Sequence, residues 1–211
     1  MNASELKYRV ENAGHESHFF TRKTMFLSQS SAIAALPGGF GTQDEVMEAL
    51  TLVQTGKTSM IPIVLFEGPG GTYWPTWDLY VRAELLQGGF ISPEDTNLYY
   101  LAADPQDAAD HVSRFYLNYH SSRYVGDDFV IRLQHPLTPA QLTQLNDEFG
   151  ALLKSGVIHQ GGPYDAEDEF LDLPRVAFTH TRRAQGLVRQ LVDRINEFGA
   201  DPSLTAFEGE S

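Results

Sequence analysis

The stretch AIAALPGGFGTQDEVMEAL at residues 32–50 decides the fold class. Its apolar run at 32–36 is short and is ended by Pro-Gly-Gly, which is the pattern of a buried parallel strand. Residues 43–54 then repeat apolar side chains at helical spacing, on one face made of Val46, Ala49, Leu50 and Val53. A buried strand, a glycine-rich loop and an amphipathic helix in this order predict a βα unit.

The same alternation continues on both sides of this unit. Residues 16–30 have a helical pattern, and 8–11 form a weakly marked strand. Downstream we predict a strand at 61–66, a helix at 74–86, a strand at 98–102 and a helix at 105–116. Strands that alternate with helices at this spacing predict an α/β fold with a Rossmann-like, doubly wound parallel sheet.

The rhythm changes after residue 117. We predict a linker at 118–128, and then a small α+β domain with elements in the order β-α-β-β-α: 129–133, 139–153, 157–160, 175–179 and 182–198. An acidic run at 165–172 is expected to be a solvated loop. The predicted domains are therefore 1–120 and 121–200, followed by a flexible tail at 201–211.

Composition excludes several classes of protein. The formal net charge is −13, from 15 basic and 28 acidic residues, and this argues against a nucleic-acid partner because phosphate backbones are bound through Lys and Arg. The chain has no cysteine, which excludes thiolate nucleophiles and Cys-based zinc sites. No apolar run approaches the roughly 18 residues of a membrane span. We expect a cytoplasmic protein with no membrane partner.

The glycine-rich loop is the first candidate binding site. Gly38, Gly39 and Gly41 allow a ligand to approach the backbone closely, and Thr42 leads into the helix. The N-terminus of that helix presents unpaired N–H groups and a positive dipole end to an anion such as phosphate. The alternative is a glycine-rich turn with no ligand.

Glu45 has two interpretations. It completes the pattern Thr42-x-x-Glu45 of a capping box, in which it would return a hydrogen bond to the Thr42 N–H. It could equally stand at the mouth of the site and stabilise an oxocarbenium-like cation or activate water. The residues alone favour the cap.

Arg22 and Lys23 lie among apolar neighbours on the predicted helix 16–30. Cations in such surroundings are costly unless an anion meets them, and Arg suits bidentate contact with phosphate. The alternative is that both side chains extend along the apolar helix edge to reach water.

Together, the blocks RKTMF at 22–26 and ALPGGFGTQDE at 35–45 resemble the LOG family of nucleoside 5′-monophosphate phosphoribohydrolases, often labelled possible lysine decarboxylases. The resemblance extends more loosely over residues 8–116. It implies a Rossmann-like fold, nucleotide phosphate bound by residues 38–42, Arg22 and Glu45 as catalytic residues, and a homodimer. We expect no cofactor. The four lysines of the chain have no recognisable pyridoxal-phosphate context, and Lys23 is better explained as an anion clamp.

The first functional hypothesis is therefore hydrolysis of the N-glycosidic bond of a purine nucleoside 5′-monophosphate such as AMP. The second is a non-catalytic nucleotide-binding or carrier module, because the same loop suffices for binding. A third is a structural fragment with an inactive site. The first is favoured, because a binding module does not need both Arg22 and Glu45.

The sequence departs from the family at its front, where the opening strands and a further glycine-rich loop are missing before Arg22. We expect a longer parent chain or a partner to complete the sheet, or self-association through the 16–30 helix or the 32–36 strand. His15 and His18 share a helix face but lack a third metal ligand. Three aromatics after Gly70-Gly71 could line a base pocket, although a core position is favoured: Tyr73, Trp74 and Trp77.

Overall fold

Three short strands form a parallel sheet in the first part of the described chain. The structure is a computed structural model, and it describes residues 30–199. Strands β1 (Ile33–Ala35), β2 (Ile63–Leu65) and β3 (Tyr100–Leu101) pair in the order β1-β2-β3, all parallel. The predicted α/β, Rossmann-like parallel sheet is confirmed.

Burial explains why β2 is the central strand. Ile63, Val64 and Leu65 are all fully buried, as expected where helices cover both faces of a parallel sheet. Helix α1 (Phe40–Gln54) connects β1 to β2 and buries Val46, Ala49 and Val53. Between β2 and β3 lie helix α2 (Tyr73–Tyr80), a π-helical turn (Val81–Leu86) and a 3₁₀-helix (Pro93–Leu98). Helix α3 (Pro105–Phe115) follows β3.

A second sheet is antiparallel and has four strands in the order β4-β5-β7-β6. They are β4 (Tyr119–Val125), β5 (Asp128–Leu133), β6 (Leu153–Gly161) and β7 (Arg175–His180). Helix α4 (Pro139–Phe149) precedes β6, and helix α5 (Gln185–Gly199) follows β7. The prediction of three strands was one too few, because the supposed linker at 118–128 forms β4 and a tight turn. Gly126, with φ of 61°, supplies the left-handed residue of that turn.

The acidic run at 165–172 is not a fully solvated loop. Within it, the Glu167 carboxylate is buried and lies 2.7 Å from both the Arg132 Nη2 and the Arg175 Nε atoms. Burial opposes ionisation of Glu167, but hydrogen bonds from Arg175, the Tyr164 N–H and Arg132 outweigh it and lower its pKa to about 2. The buried ion triad of Glu167, Arg132 and Arg175 therefore holds this loop against strands β5 and β7.

Helix α5 joins the two sheets, which belong to one compact unit from Ala32 onward. It contacts β4 and α4 on one side and the 3₁₀-helix, α1 and α3 on the other. The Asn196 Oδ1 atom accepts hydrogen bonds from the N–H groups of Asn118 and Tyr119, and its amide donates to the Phe115 carbonyl. Gly186 lies so close to Glu94 that an added Cβ would be 2.2 Å from the Glu94 carbonyl oxygen.

Candidate active site

The glycine loop lies where β1 ends and α1 begins. Helix α1 starts at Phe40, and Gly39 is its N-cap, with no side-chain hydrogen bond at the cap. The N–H groups of the first turn of a helix have no intrahelical acceptor, and here they belong to Phe40, Gly41 and Thr42. The loop thus places three N–H donors and the positive end of a 15-residue helix at the carboxyl edge of a parallel sheet.

None of the glycines of this loop has a positive φ, and only Gly38 is needed for space. A Cβ on Gly38 would fall 2.1 Å from the Thr42 Oγ1 atom, so the threonine side chain folds back over Gly38. A Cβ on Gly39 or Gly41 would meet nothing within 4 Å. Space is therefore open above the backbone at these two positions, as a phosphate would require.

Tyr73, the first residue of α2, holds the glycine loop in place by hydrogen bonds. Its hydroxyl donates to the Gly38 carbonyl oxygen at 2.6 Å and accepts from the Gln43 amide at 2.5 Å. One phenol thus links the glycine loop, the first turns of α1 and the start of α2. The sequence offered a base pocket or, more strongly, a core position for Tyr73, and it did not reveal this contact with the loop.

Glu67 in turn fixes the start of α2. Its two carboxylate oxygens accept hydrogen bonds from the N–H groups of Tyr73, at 3.2 Å, and Trp74, at 3.1 Å. Gly71 leaves room for this carboxylate, because a Cβ there would lie 2.2 Å from the Glu67 Cδ atom. Trp74 and Trp77 are buried in the core, which confirms the core alternative for these two residues.

Glu45 lies four residues after Gly41 and is exposed. Residues four apart share one face of a helix, so its carboxylate stands one turn from the Gly41 N–H. The capping-box interpretation is wrong, because the helix begins three residues earlier than predicted and Thr42 is inside its first turn. The functional interpretation of Glu45 stays a prediction.

Other predicted site residues fall outside the structure's description. Arg22, Lys23, His15 and His18 all precede residue 30, where the described chain starts. Within residues 30–199, no group of three or more His, Asp or Glu side chains could hold a metal ion. In that same range, no helix is long and apolar enough to cross a membrane.

Comparison with known proteins identifies the family. The family model described as "Possible lysine decarboxylase" matches residues 4–112, just over half of the chain. The chain belongs to this family. The match covers the parallel sheet, the glycine loop and α1, Tyr73 and most of α3, and it ends before the antiparallel sheet.

Two curated relatives of this possible lysine decarboxylase family are both from rice, Oryza sativa subsp. japonica. "Probable cytokinin riboside 5'-monophosphate phosphoribohydrolase LOGL3" is 32% identical over 104 residues, which are 49% of this chain and 47% of the relative. "Probable cytokinin riboside 5'-monophosphate phosphoribohydrolase LOGL2" is 30% identical over 99 residues, which are 47% of this chain and 39% of the relative. The chain thus spans less than half the length of either relative.

The family's descriptive name does not fit the described lysines. Lys57 and Lys154 are the lysines within residues 30–199, and both are exposed. A lysine that forms a Schiff base with a cofactor has to stand in a site that holds and orients that cofactor. Nothing around these two side chains supports decarboxylation.

Proposed function

We propose that this protein hydrolyses the N-glycosidic bond of a purine nucleoside 5′-monophosphate, with AMP as the test substrate. Water adds to the ribose C1′ atom, the bond from C1′ to the base breaks, and a proton passes to the leaving base. The products are free base and ribose 5-phosphate. The observation that carries the proposal is the glycine loop at the start of α1, with Glu45 one turn above its exposed N–H groups.

The substrate phosphate would bind at residues 38–42. Backbone N–H groups at a helix N-terminus hold an anion with both hydrogen bonds and the helix dipole. The open space above Gly39 and Gly41 supports this position. Tyr73 and Glu67 would act as positioning residues, because their hydrogen bonds hold the loop and the start of α2 in place.

Glu45 would stabilise the cationic transition state at the ribose or activate the attacking water. Glu45 is exposed and lies one turn into the helix, close to the proposed phosphate position. A carboxylate suits a developing oxocarbenium ion because the attraction grows as the charge develops. Following the resemblance, Arg22 would anchor and orient the substrate, and Lys23 would bind its phosphate.

The direct test incubates the 211-residue chain with AMP and separates adenine by chromatography. We expect slow release of adenine, loss of most of it in Glu45→Gln, and retention in Asp44→Asn, the matched exposed carboxylate next to it. Both substitutions keep the size of an exposed side chain, and an exposed ion pair contributes about 0–1 kcal/mol, so the free energy of unfolding of each variant should stay within about 1 kcal/mol of the parent's. Binding of AMP with no release of adenine would instead favour a non-catalytic nucleotide-binding module.

The assembly and surroundings of the protein also remain proposals. We infer a homodimer or larger self-association and a cytoplasmic location. Within residues 30–199, β1 pairs on one side only, with β2, and an edge strand presents N–H and C=O groups that can pair with another chain. Light scattering on the 211-residue chain tests the self-association, and a monomer would contradict it. We also propose the division into domains 1–120 and 121–200.

A further inference from the structure

A cavity of about 210 Å³ lies between α3 and α5, away from the glycine loop. It is lined by His111, Arg114, Phe115, Leu117, Arg189, Asp193, Asn196 and Glu197. Helix α3 follows the parallel sheet and α5 follows the antiparallel sheet. The cavity therefore sits where the helices of the two sheets meet.

Arg189 is the most deeply buried cation in this cavity's wall, and only 3% of it is exposed. Its Nε atom donates to both Asp193 oxygens, at 2.9 and 3.0 Å, and its Nη2 lies 3.1 Å from the His111 Nε2. The guanidinium lies over the Phe115 ring, 4.8 Å from its centroid. Its Nη1 is buried and has no hydrogen-bond partner among the described residues. A buried donor left unsatisfied is costly, and more so on a charged group.

His111 is neutral and does not add to the positive charge of Arg189. Burial, followed by the nearby Arg189 and Arg114, lowers its pKa to about 4, so the ring is neutral at pH 7. A neutral ring accepts at Nε2 from Arg189 and carries its proton on Nδ1. The ring also stacks on Tyr100 at 3.9 Å between centroids, which fixes its orientation.

The remaining wall limits the kind of ligand. Phe115 and Leu117 offer an apolar surface, while Asp193 and Glu197 bring negative charge to the rim. Asp193 is already paired with Arg189, and Glu197 is paired with Arg194 at 2.6 Å. These carboxylates repel a dianionic phosphate about twice as strongly as a ligand with a single negative charge. A nucleotide exceeds the volume, since drug-sized ligands occupy about 300–1,000 Å³.

We propose that this cavity binds a small monocarboxylate with an apolar body. The carboxylate would accept from the Arg189 guanidinium, and the body would lie against Phe115 and Leu117. Arg114, whose Nη2 atom lies 3.6 Å from the Asp107 carboxylate, would be a second cation at the rim. Arginine is suited to planar carboxylates. The bound ligand would bridge α3 and α5 and so connect the antiparallel sheet to the sheet that carries the glycine loop.

Titration of the 211-residue chain with benzoate, followed by calorimetry and by amide NMR shifts, tests the proposal. We expect binding in the millimolar range, with shifts centred on α3 and α5. Arg189→Gln should raise the Kd at least about tenfold, because it removes a charge-assisted hydrogen bond. Arg183→Gln, which changes an exposed arginine outside the cavity, should leave the Kd unchanged.

Leu117→Trp keeps the proposal falsifiable if Arg189→Gln fails to fold. The larger tryptophan side chain should fill the apolar side of the cavity without touching the guanidinium. We expect this variant to lose benzoate binding. Benzamide, which has the same shape without the charge, and inorganic phosphate are the comparison ligands. The proposal is overturned if the parent chain does not bind benzoate, if benzamide or phosphate binds as well, or if Leu117→Trp binds benzoate normally.

Discussion

The hydroxyl of Tyr73 donates a hydrogen bond to the carbonyl oxygen of Gly38, 35 residues earlier in the chain, at 2.6 Å. This contact joins the loops that follow two neighbouring parallel strands. It turns the Gly38 carbonyl toward Tyr73, and the donors of the next residues stay available at the start of α1. A carbonyl oxygen aimed at a bound phosphate would repel it, so the contact matters for an anion site.

We therefore predict that Tyr73→Phe weakens AMP binding about fivefold while the fold is retained. The lost hydrogen bonds correspond to about 1 kcal/mol. The matched control is Tyr80→Phe at the other end of the same helix, which should leave affinity unchanged. Fluorescence or calorimetric titration measures both, and equal effects of the two variants would contradict a specific role for Tyr73.

Gly38 and Gly41 should respond to alanine in opposite ways. Gly38→Ala forces the Thr42 side chain to move and should destabilise the protein by about 1–3 kcal/mol. Gly41→Ala adds a methyl group in open space inside a helix and should stabilise it by about 0.5–1 kcal/mol. If phosphate binds over Gly41, that more stable variant should nevertheless bind AMP at least about tenfold more weakly. Urea unfolding and AMP titration together decide this, and unchanged affinity in Gly41→Ala would place the phosphate elsewhere.

The parts of the fold that the sequence predicted well are those with local signals. The signals for the first βα unit all lie within about 20 residues: the apolar run of β1, its Pro-Gly-Gly end and the apolar face of α1. The alternation of β2 and α2 is equally local. The start of α1 was misplaced, since the chain uses Gly39 as its cap while Thr42 offered the stronger cap by residue type.

What the sequence did not reveal depends on distant partners. Strand β4 contains the polar run from His120 to Arg123 and is an edge strand, and it becomes a strand through its pairing with β5. Glu167 looked solvated because it stands in an acidic stretch, yet it is buried between arginines 35 and 8 residues away. The hydrogen bond from Tyr73 to Gly38 is invisible for the same reason.

The buried triad gives a pH-dependent prediction. The pKa of Glu167 is lowered to about 2 from an ordinary value of 4.5, so its carboxylate contributes stability above about pH 4.5, and that contribution is lost as pH falls toward 2. Glu167→Gln should cost about 3 kcal/mol or more at pH 7, because two buried arginines lose their counter-ion. It should also flatten the dependence of stability between pH 4.5 and 3. Urea unfolding across this range measures both, with Asp168→Asn as an exposed control that should change stability by less than about 0.5 kcal/mol.

Ala184, just before α5, holds a left-handed backbone conformation with φ of 58°. Such a conformation costs a residue with a Cβ about 1–2 kcal/mol, while glycine adopts it freely at some cost in unfolded-state entropy. Ala184→Gly should therefore raise the free energy of unfolding by about 0.5–1 kcal/mol. Ala109→Gly, on the exposed face of α3, should lower it by about 1 kcal/mol. A loss of stability in both variants would show that the strain at Ala184 is not relieved.

The order of strands in the antiparallel sheet decides when that sheet can form. Strand β7 lies between β5 and β6 and is antiparallel to both. Strands β5 and β6 do not pair with each other, and only β7 connects them within the sheet. During synthesis, the β4–β5 hairpin can form early, whereas β6 must wait as an unpaired segment until residues 175–180 leave the ribosome. Assembly of this half of the protein is therefore a late, long-range event. A chain ended before Arg175 would expose two strand edges at once, and such edges associate with other chains.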